Sequence, residues 1–195
     1  MHVLRSRNAP GSWQGRQCGG KVPAMMTDVG VETYEISATE ADWTREAKRF
    51  WAWDPSRALL ATIRDYQRAS EHPGIGARIR QKVAVARHRF WAAVTGADIP
   101  INTLIGGGLL LPHPNGIVIH PDVRIGPNCL IFQQVTLGAH RGGIPTIGGH
   151  VDIGAGAKIV GPVTMGDHAR IGMNAVVMID VPAGGVAYGV PARLG

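Results

Sequence analysis

From Ile99 onward a large aliphatic residue returns at every sixth position: Ile99, Ile105 and Leu111 open the run. After a two-residue slip at Ile117-Val118 it resumes with Ile119, Ile125, Ile131 and Leu137. An irregular stretch, AHRGGIPT, interrupts it, and Ile147, Ile153, Ile159, Met165, Ile171 and Val177 complete it. The position after each aliphatic residue is mostly glycine, and the fifth is small or aliphatic, as at Val123, Val135, Val151, Ala157, Val163, Ala169 and Ala175. Neither the helical period of about 3.6 nor the alternation of a strand produces this pattern. A period of six fits a solenoid of short strands joined by tight turns, in which the first position points inward and stacks on its equivalents in neighbouring coils. Glycine beside each bend is expected to accept backbone angles that a Cβ would penalise. One repeat cannot bury its own face, so stability comes from stacking.

The chain divides into three regions, read as 1–38, 39–96 and 97–195. The first is rich in Gly, Arg and polar residues with no helical or strand period, and is expected to be a disordered extension. The natural start is expected at Met25 or Met26. The second reads as helical. Thr39 followed by Asp42 resembles a helix start, with Trp43, Ala47, Phe50 and Trp51 on one face. Asp54-Pro55 begins a second helix with Leu59, Leu60, Ile63 and Tyr66 as its stripe. Pro73-Gly74 breaks it, and a third helix from Ile75 turns Ile79, Val83, Ala86, Phe90 and Val94 inward. The solenoid fills the third region.

Composition removes several function classes. The chain is 45% hydrophobic and 17% charged, so its 195 residues can support a sizeable core. Two cysteines make no disulfide framework and suit a reducing cytoplasm. No apolar run approaches the roughly 20 residues of a membrane span. The net charge of +6 comes without a nucleic-acid recognition motif, so no nucleic-acid partner is expected. No two histidines stand in an H-x-x-x-x-H pair, and no metal site is expected.

These hexads resemble those of the hexapeptide-repeat acyltransferases, and more narrowly of the serine O-acetyltransferase family. QQVTLG (133–138), IGAGAKIVGPVTMGDHARIG (153–172), VVMIDVP (176–182) and GVPAR (189–193) carry the likeness. It implies a left-handed parallel β-helix preceded by a small α-helical region. It also implies a homotrimer, or a hexamer of two trimers, with sites between subunits. The co-substrate is acetyl-CoA, the acceptor a small hydroxyl compound, and the reaction histidine general-base catalysis. In that frame His113, in the hexad before the slip, is the base, and Asp98 orients it. Gly138, Ala155, Gly156 and Ala157 fall where the cofactor's pantetheine arm runs, with Leu137-Gly138 a candidate for oxyanion N–H donors and Arg193 beside the CoA phosphates.

The chain also departs from that frame. Pro112 precedes His113 where the serine enzymes carry aspartate. Ile144 precedes Pro145 where they carry histidine. His140 and Arg141 are candidate replacements in acceptor binding. These changes fall on acceptor recognition, so a sugar hydroxyl of a polysaccharide precursor stands beside L-serine as the acceptor. A catalytically inactive β-helix serving as an assembly module is the reading from another class. The chain stops soon after GVPAR, without the tail by which relatives dock onto cysteine synthase, and no such complex is expected.

Overall fold

A computed structural model describes residues 36–48, 51–71 and 74–195. Of the extension expected over 1–38, residues 1–35 lie outside the described residues, as do Met25 and Met26. Ser37 and Ala38 belong to a segment packed against the solenoid, as shown below.

Two helices precede the solenoid: α1 (Pro55–Ser70) and α2 (Ile75–Thr95). Asp54 caps α1 by accepting from the Arg57 N–H, with Pro55 at the first helical turn. Gly96, in the left-handed conformation, closes α2 by donating to the Ala92 carbonyl. Leu59, Leu60 and Ile63 are buried, as their spacing predicts. Two expectations fail. The helix foreseen from Thr39 is a single 3-10 turn, Trp43–Glu46, capped by Asp42 and burying no residue. In α2 the packed residues are Ala84, His88 and Thr95, while Ile79, Val83, Phe90 and Val94 are exposed. The helix is apolar on two opposite faces, and periodicity alone cannot say which one meets the core.

The strands are β1 (Leu104–Ile105), β2 (Val118–Ile119), β3 (Arg124–Ile125), β4 (Leu130–Ile131), β5 (Thr136–Gly138), β6 (Thr146–Ile147) and β7 (Asp152–Ile153). There follow β8 (Lys158–Val160), β9 (Thr164–Met165), β10 (Arg170–Ile171), β11 (Val176–Val177), β12 (Val186–Tyr188) and β13 (Arg193–Leu194). They form three sheets, ordered β1-β3-β6-β9, β2-β5-β8-β11 and β4-β7-β10-β12-β13, parallel except for the β12–β13 pair. The chain thus winds a three-sided β-helix of about five turns.

The first-position residues stack in register. Ile105, Ile125, Ile147 and Met165 form one column. Ile119, Leu137, Ile159 and Val177 form a second, and Ile131, Ile153, Ile171 and Ala187 a third. All are buried, as are the fifth-position residues between them.

The glycines at the second position do a different job from the one expected. None of Gly106, Gly126, Gly148, Gly154, Gly166 and Gly172 has positive φ. They are glycines because the next coil lies against them: a Cβ on Gly126 would stand 2.5 Å from the Gly148 backbone, and one on Gly166 would stand 2.4 Å from the Ala183 nitrogen. The left-handed residue is the fourth of the hexad: Gly108, Asn128, Gln134, His150, Gly156, His168 and Asn174. Asn tolerates that conformation better than most residues with a Cβ.

Residues 37–46 cross one corner of the prism as a strap. Asn128, fully buried, donates from Nδ2 to the Ser37 and Glu40 carbonyls, both at 2.7 Å, and accepts from the Asp42 N–H at 2.8 Å. Gly149 makes room for the strap, since a Cβ there would fall 1.7 Å from the Ala38 oxygen. At the strap's end Glu46 pairs with Arg64 of α1 at 2.7 Å and accepts from the Leu109 N–H at 3.0 Å. Arg64 also donates to the Gly106 carbonyl at 2.6 Å and to that of Ile105. One buried ion pair therefore joins strap, helix and first coil.

Candidate active site

His113 stands between Pro112 and Pro114 in the turn that feeds β2. Each proline ring fixes its own φ, and Pro114 also narrows the backbone of the histidine before it. The imidazole is therefore carried on a stiff turn, exposed at a recess of about 430 Å³. Trp53, Asp54, Pro55 and Ser56 from the start of α1, Val94 and Thr95 from the end of α2, and Asn115 complete the lining.

Asp98 lies on the preceding coil, bridged in parallel to Val118. Its N–H donates to the Ile117 carbonyl at 2.8 Å, and its carbonyl accepts from the Ile119 N–H at 2.9 Å. This pairing sets the Asp98 backbone beside the strand that leaves the His113 turn. No hydrogen bond or ion pair joins the two side chains, and both are exposed.

His140 and Arg141 are elsewhere. They sit in the stretch that follows β5, where His140 and Gly143 exchange backbone hydrogen bonds at 2.9 and 3.1 Å. Arg141 and Gly142, both with positive φ, form the two-residue turn between them. Since β2 and β5 are ladder neighbours, and the chain enters β2 from His113 and leaves β5 toward His140, the two histidines occupy opposite edges of one sheet. Within one chain they do not meet.

Gly138 ends β5 and pairs with Val160. Gly154, Ala155 and Gly156 form a half-buried corner with no side chain larger than a methyl group. Gly156 needs its positive φ, and a Cβ there would lie 2.1 Å from Asn174 Oδ1. Its N–H donates to the Gln133 carbonyl and that of Ala157 to Gly154, while the Ala155 N–H has no partner among the described residues. Ala157 is wholly buried in the prism, its N–H given to the Gly154 carbonyl and its own carbonyl accepting from the Thr136 N–H, so it presents no surface at that corner. Arg193 is exposed on β13, opposite Tyr188.

Trp53, Asp54 and Asn115 escaped sequence reasoning. Asp54-Pro55 reads locally as a helix start, which it is, and only the packing of α1 on the first coils brings it beside His113. Asp54 is already engaged by the Arg57 N–H, the Ser56 hydroxyl and the Arg57 guanidinium.

No family model matches the chain. Curated relatives do. A serine acetyltransferase of Helicobacter pylori is 38% identical over 138 residues, 63% of this chain and 81% of the relative. One from Mycobacterium tuberculosis is 40% identical over 123 residues, 61% of this chain and 52% of the relative. Among solved structures, soybean serine acetyltransferase complexed with serine superposes with a TM-score of 0.59 at 34% identity, covering 72% of this chain and 56% of that one. A serine acetyltransferase in complex with CoA gives 0.62 at 31%, covering 73% and 58%. The chain thus spans about half the length of several of these proteins. Its β-helix is of their left-handed kind.

Proposed function

The chain belongs to the serine acetyltransferase family, and from that premise we propose that it transfers an acetyl group from acetyl-CoA to the hydroxyl of L-serine, giving O-acetylserine and CoA. The observation that carries this reading is His113, held between two prolines at the mouth of a recess on a β-helix similar to structures solved with serine and with CoA.

The chemistry follows from the imidazole. As the acceptor oxygen attacks the thioester carbonyl, His113 takes the hydroxyl proton, which an imidazole with pKa near neutrality is suited to do. The tetrahedral oxyanion needs backbone N–H donors, for which the Leu137-Gly138 end of β5 and the Ala155 N–H are the candidates. The C–S bond then breaks, and the departing thiolate recovers the proton from His113. Asp98 is the carboxylate that orients the ring and stabilises its protonated form. Gly138, Ala155 and Gly156 offer the pantetheine arm a corner it can approach at backbone distance, and Arg193 meets the CoA phosphates. A homotrimer brings the His140–Arg141 turn of one chain toward His113 of the next, which one chain alone cannot do. The acceptor is thereby held at a subunit boundary.

A second reading has its own observation. Pro112 stands where an acidic residue would meet the ammonium group of serine, and Ile144 where histidine is expected. Both favour an uncharged acceptor such as a sugar hydroxyl. Thiol release from acetyl-CoA against a panel of L-serine, other amino alcohols and sugars separates the two. Turnover dependent on L-serine supports the first, and turnover with sugars alone replaces it.

A further inference from the structure

Among the described residues nothing covers the outer face of α2. Ile75 (79% exposed), Ile79 (58%), Val83 (51%), Phe90 (57%) and Val94 (41%) line it, with Ala86 exposed among them. At about 100° per residue these six fall in one sector of about 100°. The opposite side, carrying Ala84, His88 and Thr95, is buried. One border of the outer stripe is cationic, with Arg78, Lys82 and Arg89; the other, with Arg80 and Arg87, adjoins a groove that also holds Asp65 of α1 and Glu71 at the end of that helix. The helix holds no acidic residue. Arg87 is paired with Asp65 at 2.7 Å, while Arg78, Arg80, Lys82 and Arg89 have no ion pair among the described residues. Beyond the stripe's C-terminal end Trp53, 75% exposed, leans on Trp91 with ring centroids 5.6 Å apart.

A second copy of the chain is a poor occupant for this face. Laying stripe on stripe would align the cation rows of both helices along one seam, with no carboxylate of either α2 between them. An apolar stripe edged along one border by a row of cations with no ion pair among the described residues instead matches an anionic lipid surface. The arginine and lysine stems lie along the stripe and their heads reach phosphates, while the apolar residues enter the boundary below. Tryptophan at the edge of the patch suits the same depth. We propose that α2 docks the protein peripherally on an anionic bilayer through Ile75, Ile79, Val83 and Phe90, with Arg78, Lys82 and Arg89 on the headgroups. Val94 and Trp53 also line the recess of His113, so docking brings that recess to the membrane surface.

Co-sedimentation of the full chain with vesicles tests this. One set holds phosphatidylglycerol and phosphatidylcholine in equal parts, the other phosphatidylcholine alone. The chain is expected on the anionic vesicles, roughly tenfold or more enriched over the neutral ones, and released by salt. Replacing Arg78, Lys82 and Arg89 by Gln lowers the partition by roughly fivefold per cation. Val83→Ser with Phe90→Ser, both at exposed positions, lowers it as well while the far-UV circular dichroism is kept. Absence of binding to either vesicle, equal binding to both, or unchanged binding of the Ser variant overturns the proposal. So does a fall in oligomeric mass of the Ser variant in sedimentation velocity, which would show that another copy covers the stripe.

Discussion

At the scale of the residue, two positions of the hexad matter most and for different reasons. The second is glycine because the neighbouring coil's backbone occupies the space of a Cβ; the fourth carries the left-handed turn. Gly126→Ala is therefore expected to cost about 1–3 kcal/mol through overpacking, although the φ of Gly126 suits alanine. A denaturant titration checks this, and an unchanged midpoint would refute it. The hexad register and the inward columns were legible in the sequence because stacking identical coils demands the same residue type at each inner position. The division of labour between the two turn positions was not. Asn128, His150 and His168 share the left-handed corner, a conformation in which both residue types are enriched. The stack of His150 on His168, with Nδ1 atoms 2.8 Å apart, is a consequence of that corner.

At the scale of the element, the helical part is tied to the β-helix by few but buried polar links. Arg64 and Glu46 are both nearly inaccessible, with side chains 7% and 9% exposed. Arg64→Met leaves Glu46 and two backbone carbonyls without their donor and is expected to cost about 3–5 kcal/mol, read by chemical denaturation. A loss under about 1 kcal/mol would mean the link is dispensable. His88 makes a second tie. The Ile99 carbonyl can only accept, so Nε2 donates to it at 2.9 Å, while Nδ1 lies 3.0 Å from the Thr62 hydroxyl. Burial lowers the pKa of His88 below its ordinary 6.5. The unfolded chain then binds a proton that the folded chain refuses. This stability is full above about pH 6.5 and is lost as the pH falls toward the folded value. His88→Gln removes that part, so its unfolding midpoint should fall less than the wild type's between neutral and acidic pH. Parallel falls in both proteins would assign the acid sensitivity elsewhere. Burial also lowers the pKa of His150, with the same sign, so some dependence persists in the variant. Sequence pattern located α1 and α2, but it misplaced the packed face of α2, because the helix is apolar on two sides. It could not foresee the strap over 37–46, because the contacts with Asn128 and Gly149 are long-range and polar.

At the scale of the whole molecule, one chain holds an imidazole on a rigid turn but leaves the His140–Arg141 turn at the far edge of the same sheet. Assembly is the simplest way to join them, and sedimentation equilibrium should return the mass of three chains or of six. A monomer at the concentrations of assay would contradict the shared site. The role given to His113 rests on the family resemblance, which places a histidine in the hexad before the slip; the hexad pattern by itself does not single it out. Trp53, Asp54 and Asn115 were not legible, because tertiary packing alone brings them there. All of this turns on His113 deprotonating the hydroxyl of serine beside a bound thioester. The most direct measurement is mass-spectrometric detection of O-acetylserine formed from acetyl-CoA and L-serine by the wild-type chain and by His113→Ala, with CoA affinity measured on both. O-acetylserine is expected from the wild type, with a rate roughly a hundredfold or more lower in the variant and equal CoA binding. No O-acetylserine from the wild type, or an undiminished rate in His113→Ala, would contradict that step.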